Sequence, residues 1–128
     1  MCLEVYIVPA KPNKVSAERL SRVSGLRIVK TADEKLHVSV DGGCSCSLMN
    51  DSADWNNPTW DFESFVLPGI AEALRLLARD ADGFTLQATW IGDRLESRAH
   101  VPLPDVVADV LANRIKNKHL YIVGNAKP

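Results

Sequence analysis

An α+β domain with a mixed, mostly antiparallel sheet is the fold class predicted by this sequence, and three observations carry it. Alternation of apolar and polar residues opens the chain and returns at 84–90, the period of half-buried strands. Apolar residues at helical spacing separate these segments. The 128 residues suit one domain, 1–128, and make a second core unnecessary.

The elements follow in order. Leu3, Val5 and Ile7 alternate with Glu4 and Tyr6 in a first strand, β1, at 3–7. Ser16 is a suitable N-cap for a helix over 17–24, α1, in which Leu20 and Val23 share a face. Gly25 stands where a left-handed residue ends a helix. Two short apolar runs, β2 at 26–30 and β3 at 36–40, flank the polar connection 31–35 and read as a hairpin. Residues 41–61, rich in Gly, Ser, Asp and Asn, form an irregular stretch of a length often tied to function.

Leu67, Ile70, Leu74, Leu77 and Ala81 then define an amphipathic helix, α2, over 67–81, with Pro68 in its first turn. Phe84, Leu86, Ala88 and Trp90 give β4 at 84–90. Gly92-Asp93 reads as a turn into a second hairpin, whose return strand, β5 at 98–103, carries Ala99, Val101 and Leu103 on one face. Pro104 opens α3 over 104–115, with Asp105 and Asp109 toward its positive end and Arg114, Lys116 and Lys118 toward its negative end. A last strand, β6, is expected at 120–123. The first six elements follow the ferredoxin-like order β-α-β-β-α-β, and a C-terminal β-α-β extends them, with the helices expected on one face. That fold hosts many activities and implies none.

Lys plus Arg number 15 against 16 Asp plus Glu, so no global field draws the chain to nucleic acid. No uncharged apolar run approaches the roughly 20 residues that span a bilayer, and the N-terminus lacks a basic leader, so neither a membrane nor secretion is expected. The expected location is cytoplasmic. Three cysteines, an odd set, suit reduced thiols better than a disulfide scaffold.

Those cysteines are the first candidate site. With β1 antiparallel to β3, Cys2 lies at the same sheet edge as Cys44 and Cys46. Three thiols then converge near the start of α2, whose dipole would favour thiolate in all of them. Cys-Ser-Cys can share a soft metal such as Zn²⁺ or form a strained, reducible disulfide. Asp51, Asp54 and His100 are candidate further ligands. The plainer alternative is a tight turn holding small, buried, inert cysteines. Gly42-Gly43 could offer amides to an anion, but no nucleotide-binding pattern accompanies it.

The second candidate is the sheet face opposite the helices. It carries Glu4, Tyr6, His37, Ser39, Thr85, Gln87 and Thr89, joined by Arg98 and His100 if β5 pairs with β4. Such a face suits a small polar ligand, a second copy in a homodimer, or plain solvation. The third is the loop around Asn56-Asn57-Pro58, with Asp51, Asp54, Trp55, Trp60, Asp61 and Glu63. It lacks the spacing of a calcium loop, so Trp55, Trp60, Phe62 and Phe65 are expected to pin it to the domain while Asp61 and Glu63 favour the start of α2. The leading function is therefore a thiol site for a soft metal or reversible oxidation. The alternative is a non-catalytic, dimeric binding module using the open face. No residue pattern identifies a catalytic group or a substrate.

Overall fold

The computed structural model describes residues 2–50 and 57–128; Asp51, Asp54, Trp55 and Asn56 lie outside the described residues. The fold is a mixed α+β arrangement on a single sheet. Its elements are β1 (Leu3–Pro9), α1 (Ala17–Ser24), β2 (Arg27–Lys30), β3 (Leu36–Ser39), α2 (Leu67–Asp80), β4 (Gly83–Trp90), β5 (Ser97–His100), α3 (Leu103–Leu111) and β6 (His119–Gly124). The described strands form one six-stranded sheet in the order β2-β3-β1-β4-β6-β5, antiparallel except for the last pair.

Local chemistry accounts for the helix ends. Ser16 Oγ accepts the Arg19 amide at 3.1 Å, and Gly25, at φ 70°, donates its amide to the Ser21 carbonyl, so α1 is capped at both ends. Pro68 lies in the first turn of α2, where no helical amide is lost. Gly69 is required there by space. A Cβ on it would lie 2.1 Å from the Ser24 carbonyl oxygen, so α2 starts against the end of α1.

The seven residues of β1 pair with β4 from Leu3↔Trp90 to Pro9↔Phe84. Leu3, Val5 and Ile7 thereby share a face with Leu86, Ala88 and Trp90. That face packs against Leu20 of α1, Ile70, Leu74 and Leu77 of α2, and Val106 and Val110 of α3 in one continuous core. On the outer side of the sheet, the Ser21 hydroxyl accepts the Ile28 amide at 3.0 Å and donates to the Ile28 carbonyl at 3.1 Å, so α1 is stitched to edge strand β2.

The structure departs from expectation in the C-terminal third. β5 makes no hairpin with β4. It pairs in parallel with β6, Ser97↔His119 to His100↔Ile122, and β6 takes the place beside β4, with Leu86↔Tyr121. Burial explains the exchange. β6 is apolar on both sides, with Leu120 and Ile122 on one and Tyr121 and Val123 on the other, so it belongs inside the sheet. Ser97, Arg98 and His100 are exposed and suit an edge. A parallel pair needs a crossover, and α3 supplies it. Leu103 is accordingly helical, and neither Val101 nor Leu103 extends β5. Because α3 ends at Leu111, Arg114, Lys116 and Lys118 lie beyond it and Asp109 sits in its last turn.

The aromatic loop is corrected in part. Trp60 and Phe62 are buried, and the Trp60 indole N–H donates to the Ala88 carbonyl at 2.8 Å. Phe65 is 65% exposed and pins nothing. Asp61 accepts from the Asn113 amide at 3.0 Å and from the Asn50 amide at 3.3 Å, which ties the loop to the end of α3. Glu63 makes no capping bond at the turn preceding α2.

Leu86 is fully buried at the centre of this core. Leu86→Ala should lower the free energy of unfolding by about 2–5 kcal/mol, whereas Gln87→Ala, on the other face, should cost less than about 1 kcal/mol. Urea denaturation of both variants checks this, and equal losses would mean that the strand faces are assigned wrongly.

Candidate thiol site

β3 accompanies β1 for only two register pairs, Tyr6↔His37 and Ile7↔Leu36. Beyond them the chain leaves the ladder and turns through a 3-10 segment, Ser45–Leu48, whose side chains take over the bonding that a longer β3 would supply. The Val5 amide donates to Ser45 Oγ at 3.0 Å and the Leu3 amide donates to Cys46 Sγ at 3.1 Å. Cys44 Sγ lies 3.4 Å from the Leu3 carbonyl oxygen. The Cys-Ser-Cys segment is thus bonded to the backbone of β1 at the end that carries Cys2.

Ser45 is the anchor, and the sequence reading passed over it. It is completely buried, its hydroxyl donates to the Val38 carbonyl, and its oxygen sits 3.1 Å from His37 Nε2. A hydroxyl has one proton, so His37 donates from Nε2 to complete the set. The only trace in the sequence is a serine between two cysteines at the end of a strand.

Cys2, Cys44 and Cys46 do converge. Their sulfurs all lie within 4.8 Å of one another, with Cys44 and Cys46 Sγ 3.0 Å apart. Cys2 is exposed, the other two are half-buried, and no disulfide links them. Each is set differently. Burial pushes Cys44 up, but hydrogen bonds from the thiol and amide of Cys46 and from the Cys2 thiol outweigh it and hold Cys44 below the ordinary thiol range. The Cys2 thiol is raised, chiefly by its hydrogen bond to Cys44 and the charge there. Cys46 is raised by burial and then by its bond to Cys44. The shared lowering expected for all three is therefore wrong: one thiolate is favoured at Cys44, with the other two thiols as its donors.

Other expected partners fall elsewhere. His100 stands on β5, with β4 and β6 between it and β1, and is no part of the thiol cluster. Asp51 and Asp54 lie outside the described residues. The Gly42 and Gly43 amides donate to Ser39 Oγ at 2.8 Å and Asp41 Oδ1 at 3.0 Å, so they are not spare donors for an anion.

On the opposite sheet face, His37, Tyr6 and Gln87 are register partners across three adjacent strands, and Glu4 pairs with Thr89. The Tyr6 and His37 rings are 5.5 Å apart, Lys35 Nζ stands 5.3 Å from the Tyr6 ring centre, and burial together with Glu4 pushes the Tyr6 hydroxyl up to about 12. The face is less open and less polar than expected. Ser39, Thr85 and Thr89 are buried, and Leu120, Ile122 and Ala126 form a small apolar cluster beside them, packed by Ala10 and Leu95. Comparison with protein-family models, curated proteins and solved structures finds no match for the chain.

Ser45→Ala should destabilise the protein by about 1–3 kcal/mol, because it leaves the buried Val5 amide without its acceptor. It should also make Cys46 more reactive toward maleimide. An unchanged urea midpoint with unchanged labelling would remove Ser45 as the anchor of the thiol segment.

Proposed function

We propose that the chain binds a soft metal ion through Cys2, Cys44 and Cys46, with reversible oxidation of the same thiols as the competing chemistry. The supporting observation is the mutual approach of three sulfurs from two separate segments to within 4.8 Å. Thiolates bound to one zinc ion at about 2.3 Å stand roughly 3.8 Å apart when tetrahedral, so a modest adjustment brings this set to bonding geometry. Thiolates select soft ions, Zn²⁺ or Cu⁺. Among the described residues three protein ligands are brought together, and three alone would leave the fourth zinc position to solvent or to a thiol from another molecule, which suits an exchangeable ion better than a structural one. Reduced thiols at this site suit a reducing compartment such as the cytoplasm. The strand order β2-β3-β1-β4 supports reading the first six elements as ferredoxin-like.

Zn²⁺ titrated into the reduced protein against a chromophoric chelator should bind one ion per chain, and binding should weaken as pH falls because the ligating thiols must release their protons. Cys44→Ser should abolish it. Equal zinc uptake by the Cys2→Ser/Cys44→Ser/Cys46→Ser variant would overturn the metal reading. A loss of two thiols in air, recovered by reductant and unaffected by zinc, would favour the oxidation chemistry instead.

A second reading keeps the opposite sheet face as the contact for a second copy or a small polar ligand, through Glu4, Tyr6, His37, Gln87 and His100. It is favoured by the row His37, Tyr6 and Gln87, half-buried side chains on three neighbouring strands. If that face joins two copies, Gln87→Lys should shift the sedimentation coefficient from dimer to monomer without lowering the melting temperature. A monomeric wild-type protein would end the dimer form of this reading.

A further inference from the structure

The crossover that places β5 beside β6 also creates a cleft between these strands and α3, with a volume of about 390 Å³ and Val101, Asp109, Lys116, His119 and Tyr121 among its lining residues. Its most unusual member is His119. The ring is buried, yet Nδ1 lies 2.7 Å from Ser97 Oγ, and Ser97 itself is exposed to solvent. A buried base thus holds a reachable hydroxyl, which is the arrangement that activates a serine nucleophile.

The surroundings hold this ring in a working state. The Tyr121 ring meets the imidazole edge-on at 4.7 Å between centres, and the Tyr121 hydroxyl donates to Asp109 Oδ2 at 3.0 Å while accepting the Lys116 amide at 3.0 Å. Burial, reinforced by the Lys116 charge and opposed by Asp109, holds His119 below the ordinary histidine range, which favours the neutral ring. With the ring proton on Nε2, Nδ1 accepts from Ser97. Ala99, Val101, Val106 and Ala108 give the cleft an apolar wall that suits a short acyl chain, and Asp105 joins Asp109 as a second acid on its lining.

We propose that Ser97 and His119 form a nucleophile and base that cleave small carboxylic esters bound against this cleft, which His119 lines and Ser97 adjoins through its bond to Nδ1, a site separate from the thiols. Ser97 Oγ bonds to the ester carbonyl carbon as its proton passes to His119 Nδ1. The carbon–oxygen bond to the alcohol then breaks, and the alcohol leaves with that proton. Water attacks the acyl-serine, gives a proton to Nδ1, and releases the carboxylic acid as the proton returns to Ser97. Lys116 is the cation on the cleft wall available to the carbonyl oxygen as it gains charge.

The full-length wild-type protein is incubated with p-nitrophenyl acetate, nitrophenolate release is followed, and acetylated residues are mapped by peptide mass spectrometry. Acetyl-Ser97 should appear, and Ser97→Ala and His119→Gln should each slow release by about 10²-fold with melting temperatures near that of the wild type. Acetyl groups found only on cysteines or lysines of the wild-type protein would overturn the proposal whether or not the variants fold. Release by Ser97→Ala at the wild-type rate would do the same, and the Ser97–His119 bond would then only fasten β5 to β6.

Discussion

Backbone pairing of β1 with β4 along the whole length of β1 sets the centre of the sheet, and the rest of the molecule is arranged around it. One edge of β1 is fully occupied by β4 from Leu3 to Pro9. The other is shared unequally, two register pairs going to β3 and the remainder to the side chains of Ser45 and Cys46. Buried amides need partners, so the stretch of β1 that β3 does not reach must be met by something else. The thiol segment meets that need, and its position beside Cys2 follows from it.

This dual use links stability to chemistry. Sulfur is a weak acceptor compared with a carbonyl oxygen, and Cys46 accepts the Leu3 amide with it. Ser45 compensates with an oxygen that gathers Val5, Val38 and His37. A segment held by one strong anchor and flanked by two sulfurs keeps both sulfurs near the surface while fixing their backbone. His37 also connects the two candidate regions, since its ring lies near Tyr6 on the sheet face while its Nε2 serves the thiol turn.

Much of this was legible in residues with a single local meaning. Ser16 and Gly25 bound α1 at 17–24 because a cap and a left-handed residue act without help from the rest of the chain. The alternation of Phe84, Leu86, Ala88 and Trp90 disclosed β4 and its buried face for the same reason. The neighbourhood of the three cysteines followed from strand adjacency alone. Their charges did not, because which thiol ionises depends on hydrogen bonds of a few ångströms that no spacing encodes. The position of β5 was misread because Gly92-Asp93 resembles a hairpin turn, while the contrary signal lay some thirty residues on, in the run Leu120-Tyr121-Ile122-Val123, which is too apolar on both sides for an edge. Without the β5–β6 pair, Ser97 and His119 have no reason to meet, so their contact was out of reach of the sequence as well.

The Ser21 hydroxyl at the outer rim of β2 has a consequence for how large the sheet can grow. Both outward polar groups of Ile28 are already taken by one side chain, so an extended peptide or another molecule's strand could join there only by breaking both bonds. At the other rim β5 offers four residues, among them exposed Arg98 and His100, a short and charged template for strand addition. Strand addition therefore meets an obstacle at each rim, occupied backbone groups at Ile28 on one side and a short strand carrying Arg98 on the other. Self-association by edge stacking, the usual route from an exposed sheet to fibres, is disfavoured in the native state of this protein.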